Sequence, residues 1–233
     1  MRALLLQNLH PLATTLLRAD GIDVSNRTGA LDEAELSESL AGVQVLGIRS
    51  KTQVTEAVLD QAPDLLAIGA YCIGTNQIDM HAAAERGIAV FNAPFSNTRS
   101  VVELALAEIL ALTRRMTVLD KALHAGVWDK SADGAHEVRG RTLGILGLGR
   151  IGRTIARRAE AFGMKVVYHG RRAQDDAPYL YFPTLASMAR ACDILVAITP
   201  GGPETRHIVN GEVLEALGPQ GIFINVARGS VCD

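Results

Sequence analysis

Gly144-Ile145-Leu146-Gly147-Leu148-Gly149-Arg150-Ile151-Gly152 decides how the rest of the chain is read. The glycines fall in the spacing G-x-G-x-x-G, with an apolar strand pattern before them and a helix-forming segment after. Gly147 allows a tight turn, Gly149 lets the backbone come close to a ligand's phosphates, and Gly152 lets the following helix pack on the strand. The helix N-terminus, where Arg150 and Ile151 stand, then faces the turn. Its N–H groups and dipole favour an anion, so the pattern points to a dinucleotide pyrophosphate. Residues 1–143 precede the run, enough for a domain of their own on the usual scale of ~50–250 residues.

Outward from this run, strand and helix patterns alternate. Short apolar runs occur at 2–6, 43–48, 65–70, 88–91, 143–146, 165–168, 194–198 and 222–226. Helical patterns fall at 55–62, 80–86, 101–115, 151–162, 185–191 and 212–217. Several runs are apolar without alternation, as expected of parallel strands covered on both faces. The expected fold is α/β, with two doubly wound parallel-sheet domains: residues 1–94, then 95–233, which include a long helix crossing from the first to the second. The cleft between two such domains is the expected place for a ligand. The leucine-rich N-terminus is interrupted by Gln7, Asn8, His10 and Pro11 and reads as strand and helix rather than as a leader.

The bulk composition narrows the function classes. The chain has 233 residues, 48% of them hydrophobic and 21% charged, with a net charge of -2. This leaves no electrostatic footprint for nucleic acid or an anionic membrane. No apolar stretch approaches the ~20 residues of a membrane span. Cys72, Cys192 and Cys232 lack zinc or disulfide-framework spacing, and a reducing, cytoplasmic setting is the expectation. Cys72 reads as a small buried hydrophobe rather than a nucleophile. Trp128 reads as a packing anchor, and Thr98 and Ser100 as helix N-caps rather than substrate contacts. No metal site is expected.

A dinucleotide unit of this kind places an acidic residue at the end of its second strand, about 20 residues past the glycines, to bond the ribose 2′-OH. Here the second strand leads into His169-Gly170-Arg171-Arg172. The carboxylate is absent and two guanidiniums are present. A dianionic 2′-phosphate suits an Arg fork in charge and geometry. The reading is NADP(H), with NAD as the alternative and a solvated turn as the structural one. Asp175 and Asp176 lie further along the loop.

The chain resembles the D-isomer-specific 2-hydroxyacid dehydrogenases over nearly all its length. The resemblance rests on Gly140-Arg141-Thr142-Leu143 with the glycine run, and on Ile224-Asn225-Val226-Ala227-Arg228-Gly229. It implies a flavodoxin-like substrate domain followed by a Rossmann NAD(P)-binding domain. It also implies hydride transfer between a nicotinamide and a 2-hydroxy or 2-keto acid. In the first unit, Gly47-Ile48-Arg49-Ser50-Lys51-Thr52, Cys72-Ile73-Gly74-Thr75-Asn76-Gln77 and Phe91-Asn92-Ala93-Pro94-Phe95-Ser96-Asn97-Thr98-Arg99-Ser100 resemble the bacterial D-3-phosphoglycerate dehydrogenases. Tyr168-His169-Gly170-Arg171-Arg172 and Thr199-Pro200-Gly201-Gly202-Pro203-Glu204-Thr205-Arg206-His207 resemble NADP-dependent glyoxylate/hydroxypyruvate reductases.

By this resemblance Arg49, Ser50, Lys51, Gly74 and Lys130 face the substrate. Gly147, Gly149, Arg150, Ile151, Gly152, Gly170, Arg171, Arg172, Thr199, Pro200, Ala227 and Arg228 border the cofactor, although Pro200 reads equally as a strand stop. Arg228 is the catalytic residue, gripping the carboxylate and polarising the carbonyl. The family's Glu and His lie downstream of the A-R-G run, and this chain ends at Asp233. The expectation is therefore a cofactor domain incomplete at its C-terminus, a polypeptide with little or no turnover, and a homodimer for the full-length parent. A non-catalytic NAD(P)-binding protein is the reading from another class.

Overall fold

The computed structural model describes residues Met1–Asp233. They form two compact units, Met1–Asn97 and Thr98–Asp233.

The first unit runs β1 (Arg2–Leu5), α1 (Pro11–Ala19), β2 (Asp23–Asn26), α2 (Glu33–Ser39), β3 (Val45–Ile48), α3 (Glu56–Asp60), β4 (Ala67–Ala70), α4 (Met80–Glu85) and β5 (Ala89–Asn92). All strand pairs are parallel, in the order β2-β1-β3-β4-β5. This is the 2-1-3-4-5 order of flavodoxin-like sheets. The winding reverses between β1 and β3, so the carboxyl ends of these strands flank the crevice where such sheets take ligands. Alternate residues explain the layers. Leu4, Leu46, Ile48, Ile68 and Ala70 face a core with Leu36, Val58 and Ala82 of α2, α3 and α4. Ala3, Leu5 and Val24 face α1 through Ala13 and Leu17. The expected cover on both faces is only partly present. One helix serves the second face, and Phe91 of β5 remains 64% exposed.

In the second unit, α5 (Thr98–Thr113) and α6 (Met116–His124) precede β6 (Thr142–Leu146), α7 (Arg150–Ala161), β7 (Lys165–His169), β8 (Leu180–Tyr181), α8 (Leu185–Ala191), β9 (Ile194–Ala197), α9 (Gly211–Leu217) and β10 (Ile222–Asn225). The parallel sheet is ordered β10-β9-β6-β7-β8. Counted within the unit this is 3-2-1-4-5, matching the first five strands of the dinucleotide-binding order 3-2-1-4-5-6. Here both faces are covered. Leu143, Ile145, Ile194 and Val196 pack with α5 and α7, and Leu146, Leu195 and Ala197 pack with α8 and α9. Thr98 and Ser100 stand inside the first turn of α5, not before it. The expected N-cap role is therefore corrected, because the helix starts earlier than its apolar pattern.

Two buried glutamines brace the loop after β3. Gln7, at φ 64 in the loop after β1, accepts from the Lys51 N–H at 3.1 Å and donates to Thr52 Oγ1 at 2.7 Å. It thereby ties the two strand ends on either side of the switch point. Gln77 Nε2 donates to the Arg49 carbonyl at 3.0 Å and the Gly74 carbonyl at 3.2 Å. Thr52 is fully buried, so truncating Gln7 strands its hydroxyl without a partner. The expected outcome for Gln7→Ala is a loss of about 1–3 kcal/mol, read from the urea midpoint. An unchanged midpoint would mean that other partners take over these bonds.

Candidate functional site

The winding of the second sheet reverses between β6 and β9, and the candidate site is built at their carboxyl ends. Gly147 turns the chain out of β6 with φ 102, in the left-handed region. A methyl group on it would lie 3.0 Å from the backbone of Thr199, just past β9. A methyl group at Gly152 would lie 2.3 Å from the Gly147 carbonyl oxygen. Both positions therefore require glycine for reasons internal to the protein. Gly149 differs, since an added methyl would meet nothing within 4 Å. It is the N-cap of α7, and no side chain caps that helix. An open glycine at an uncapped helix N-terminus leaves room and N–H donors for a phosphate group. The Arg150 and Ile151 backbone follows in the first turn. The residues present thus fit a dinucleotide pyrophosphate.

The turn after β7 lies beside this loop, tied by the Gly147 N–H donating to the His169 carbonyl at 2.9 Å. Gly170 accepts at its carbonyl from the Tyr181 hydroxyl at 3.2 Å. Arg171 and Arg172 are exposed and engage no group of the protein. Asp176 instead pairs with Arg153 of α7 at 2.6 Å. The Arg153 hydrogen bond holds the Asp176 carboxyl below its usual range. The turn therefore offers two cations, and the Asp176 carboxylate is committed to Arg153.

Arg228 follows β10 on a loop shaped by its neighbour Asn225. The Asn225 side chain accepts from the Ala227 N–H at 3.0 Å and donates to the Arg228 carbonyl at 2.9 Å. This is the local turn that Asn favours. The Arg228 stem passes over Gly201, where a methyl group would come within 2.9 Å of Arg228 Cγ. Beyond it, His207 pairs with Asp233 at 3.1 Å, and its N–H donates to the Ser230 carbonyl at 2.9 Å. Pro200 accepts at its carbonyl from Thr205 Oγ1 at 2.7 Å. The glycine run, Thr199, Pro200, Ala227 and Arg228 are thus brought together on three adjacent strand ends.

The expected substrate-facing residues divide between the units. Arg49, Ser50, Lys51 and Gly74 gather at the carboxyl ends of β3 and β4 in the first unit, held by Gln7 and Gln77. Arg49 and Lys51 are exposed. Lys130 belongs to the second unit, with its ammonium 5.3 Å from the Trp128 ring centroid. Trp128 corrects its expected role as a packing anchor, because it is 76% exposed. It follows the end of α6, where no regular element supplies a core to receive it. Cys72 is half-buried rather than buried, and its thiol donates to the Gly74 carbonyl at 3.1 Å. Burial pushes the Cys192 thiol up to about 12, so it stays protonated and unreactive at neutral pH. The bracing residues Gln7, Gln77, Gln174 and Asn225 were not singled out from the sequence. Only Asn225 carried a local signal, as an Asn beside a strand end.

A family description, D-isomer specific 2-hydroxyacid dehydrogenase, NAD binding domain, matches residues 106–233. D-3-phosphoglycerate dehydrogenase of Haemophilus influenzae is 41% identical over 237 residues, spanning 100% of this chain and 57% of that protein. D-3-phosphoglycerate dehydrogenase 1 of Saccharomyces cerevisiae is 41% identical over 236 residues, spanning 100% and 50%. The chain therefore spans about half the length of the curated relatives it matches. Among solved structures, a Thermus thermophilus protein superposes with a TM-score of 0.93 at 34% identity, covering 100% of this chain and 76% of that one. An NADPH-dependent glyoxylate/hydroxypyruvate reductase from Sinorhizobium meliloti, in complex with NADP and malonate, gives 0.85 at 34%, covering 100% and 72%. The sheet order, the glycine cradle and these matches agree: the chain belongs to the D-isomer specific 2-hydroxyacid dehydrogenase family.

Proposed function

We propose that this chain carries the cofactor cradle and the substrate-anchoring cations of an NADP(H)-dependent D-2-hydroxyacid dehydrogenase. The observation that carries the reading is the pairing of an uncapped helix N-terminus, opened by Gly149, with two exposed and unpartnered guanidiniums at Arg171 and Arg172. The first anchors a pyrophosphate and the second a 2′-phosphate. When bound, the nicotinamide supplies or accepts the hydride. Arg228 holds the substrate carboxylate in a bidentate grip and draws charge from the neighbouring carbonyl. Arg49 and Lys51 supply cations for a second anionic group, which favours 3-phosphoglycerate as the substrate. The rival is glyoxylate or hydroxypyruvate, favoured by the resemblance of the 168–172 turn to NADP-dependent glyoxylate/hydroxypyruvate reductases and by the chain's overall likeness to the Sinorhizobium meliloti reductase.

Among the six histidines, His10 caps α1 and His81, His124 and His207 pair with Glu85, Asp120 and Asp233. His169 bonds the Phe182 carbonyl beside the cofactor turn, and His136 lies in the loop before β6. We assign none of them the proton-exchanging role. We also propose a cytoplasmic setting, supported by three free cysteines, and a homodimer. The apolar side chains that α5 and α6 expose, Leu104, Leu112, Met116, Val118 and Leu123, support the dimer.

Three outcomes test this reading. NADPH is expected to bind at least about tenfold more tightly than NADH, with Arg171→Ala plus Arg172→Ala erasing the difference. Equal affinities in nucleotide-fluorescence titrations would overturn the NADP(H) assignment. Gly152→Ala is expected to weaken both nucleotides by about tenfold or more, because the methyl group displaces the cradle itself. Calorimetric titration separates the substrates. 3-Phosphoglycerate should bind more tightly than glyoxylate, and Arg49→Ala should remove that advantage; a tighter glyoxylate complex favours the rival.

A further inference from the structure

Gln174 occupies a position that no sequence motif assigns, and its side chain bonds two elements at once. Its Nε2 donates to the Leu148 carbonyl, inside the glycine loop, at 3.1 Å. Its Oε1 accepts from Arg153, at the end of the first turn of α7. Its own N–H donates at 2.8 Å to the hydroxyl of Tyr168, a side chain buried at the end of β7. The residue is thus pinned to the phosphate cradle, to the cradle's helix and to the second strand of the sheet. On the other side of the arginine pair, Gly170 is pinned through its carbonyl to Tyr181. Arg171 and Arg172 therefore sit on a short span fixed at both ends and free in the middle.

We propose that Gln174 is a positioning residue for cofactor selection, setting the distance between the Arg171–Arg172 cations and the glycine cradle. The inference rests on the NADP(H) reading above. A nucleotide held at its pyrophosphate presents its 2′-phosphate at a distance fixed by its own covalent frame. The guanidiniums meet it bidentately only if the turn is held in register, since charge-assisted hydrogen bonds depend on close geometry. The same cluster disposes of a competitor. Arg153, which orients Gln174, also binds Asp176 at 2.6 Å, keeping that carboxylate from pairing with Arg171 or Arg172. Releasing Gln174 frees the span, whereas Asp176 stays paired with Arg153 and the pyrophosphate donors at the start of α7 stay where Gly147 and Gly152 put them.

The test is the ratio of NADPH to NADH dissociation constants in the 233-residue chain, before and after Gln174→Ala. The ratio should rise about tenfold, with NADH affinity changed less than about threefold. A merely structural role would weaken both nucleotides together and leave the ratio intact, which overturns the inference. Gln174→Met, which keeps length and loses both side-chain bonds, serves if the alanine variant does not fold, with the same expectation. A wild-type chain without preference for NADPH overturns the cofactor reading, and this inference with it. A wild-type preference that survives both Gln174 substitutions overturns the inference alone.

Discussion

Helix α7 meets the end of β6 so closely that the space for one methyl group, at Gly152, is already filled by the Gly147 carbonyl oxygen. Much of the second unit depends on that approach. It aims the start of α7 at the carboxyl end of the sheet, where the peptide dipoles add to a partial positive charge. It sets Gly147 against the backbone of Thr199, so the loops after β6 and β9 touch rather than merely neighbour each other. It also presents the Leu148 carbonyl outward, where Gln174 reaches it. Three loops far apart in sequence acquire fixed relations because one contact permits no side chain.

The first unit solves a similar problem by different means. Beyond the backbone ladder, the loops after its strands are joined by side-chain amide hydrogen bonds. Gln7 bridges the loops after β1 and β3, and Gln77 bridges those after β3 and β4. Buried amides of this kind are stabilising only when their partners are all present. The loop carrying Arg49, Ser50 and Lys51 is therefore held by a small network whose members depend on one another. Gln7 adopts a left-handed backbone conformation to take part, which is uncommon for a residue with a long side chain.

The legible strands were those that carry an apolar run. β9 reads Ile194-Leu195-Val196-Ala197 with all four buried, and such a run has one interpretation beside an adjacent helix pattern. β2, Asp23-Val24-Ser25-Asn26, buries only Val24 because it is an edge strand, so it left no apolar run to find. β8 has two residues and forms only because Tyr168 and Val167 offer a free edge to it. α2 escaped notice although Asp32 and Glu35 form a reciprocal capping box, a signal visible in the sequence. The helix read through residue 115 ends at Thr113, and Arg115 takes a left-handed turn before α6. At the candidate site the spacing of the glycine run was legible because local geometry sets it, whereas Arg228 was named through the resemblance alone. The glutamines were not, because a side-chain amide finds its partners only after the chain has folded.

The arginine turn lies outside every packing cluster of the second unit. Arg171 and Arg172 are exposed and bonded to nothing in the protein, so neither takes part in holding the sheet together. On the NADP(H) reading, cofactor choice is written in residues to which stability is indifferent, on a span whose two ends belong to the core. Mutation there explores nucleotide preference with little risk to folding, since exposed substitutions typically change stability by no more than about 0.5 kcal/mol. The preference can drift, reverse or be engineered at the tip of one loop, while the scaffold that holds the nucleotide stays under its own, separate selection.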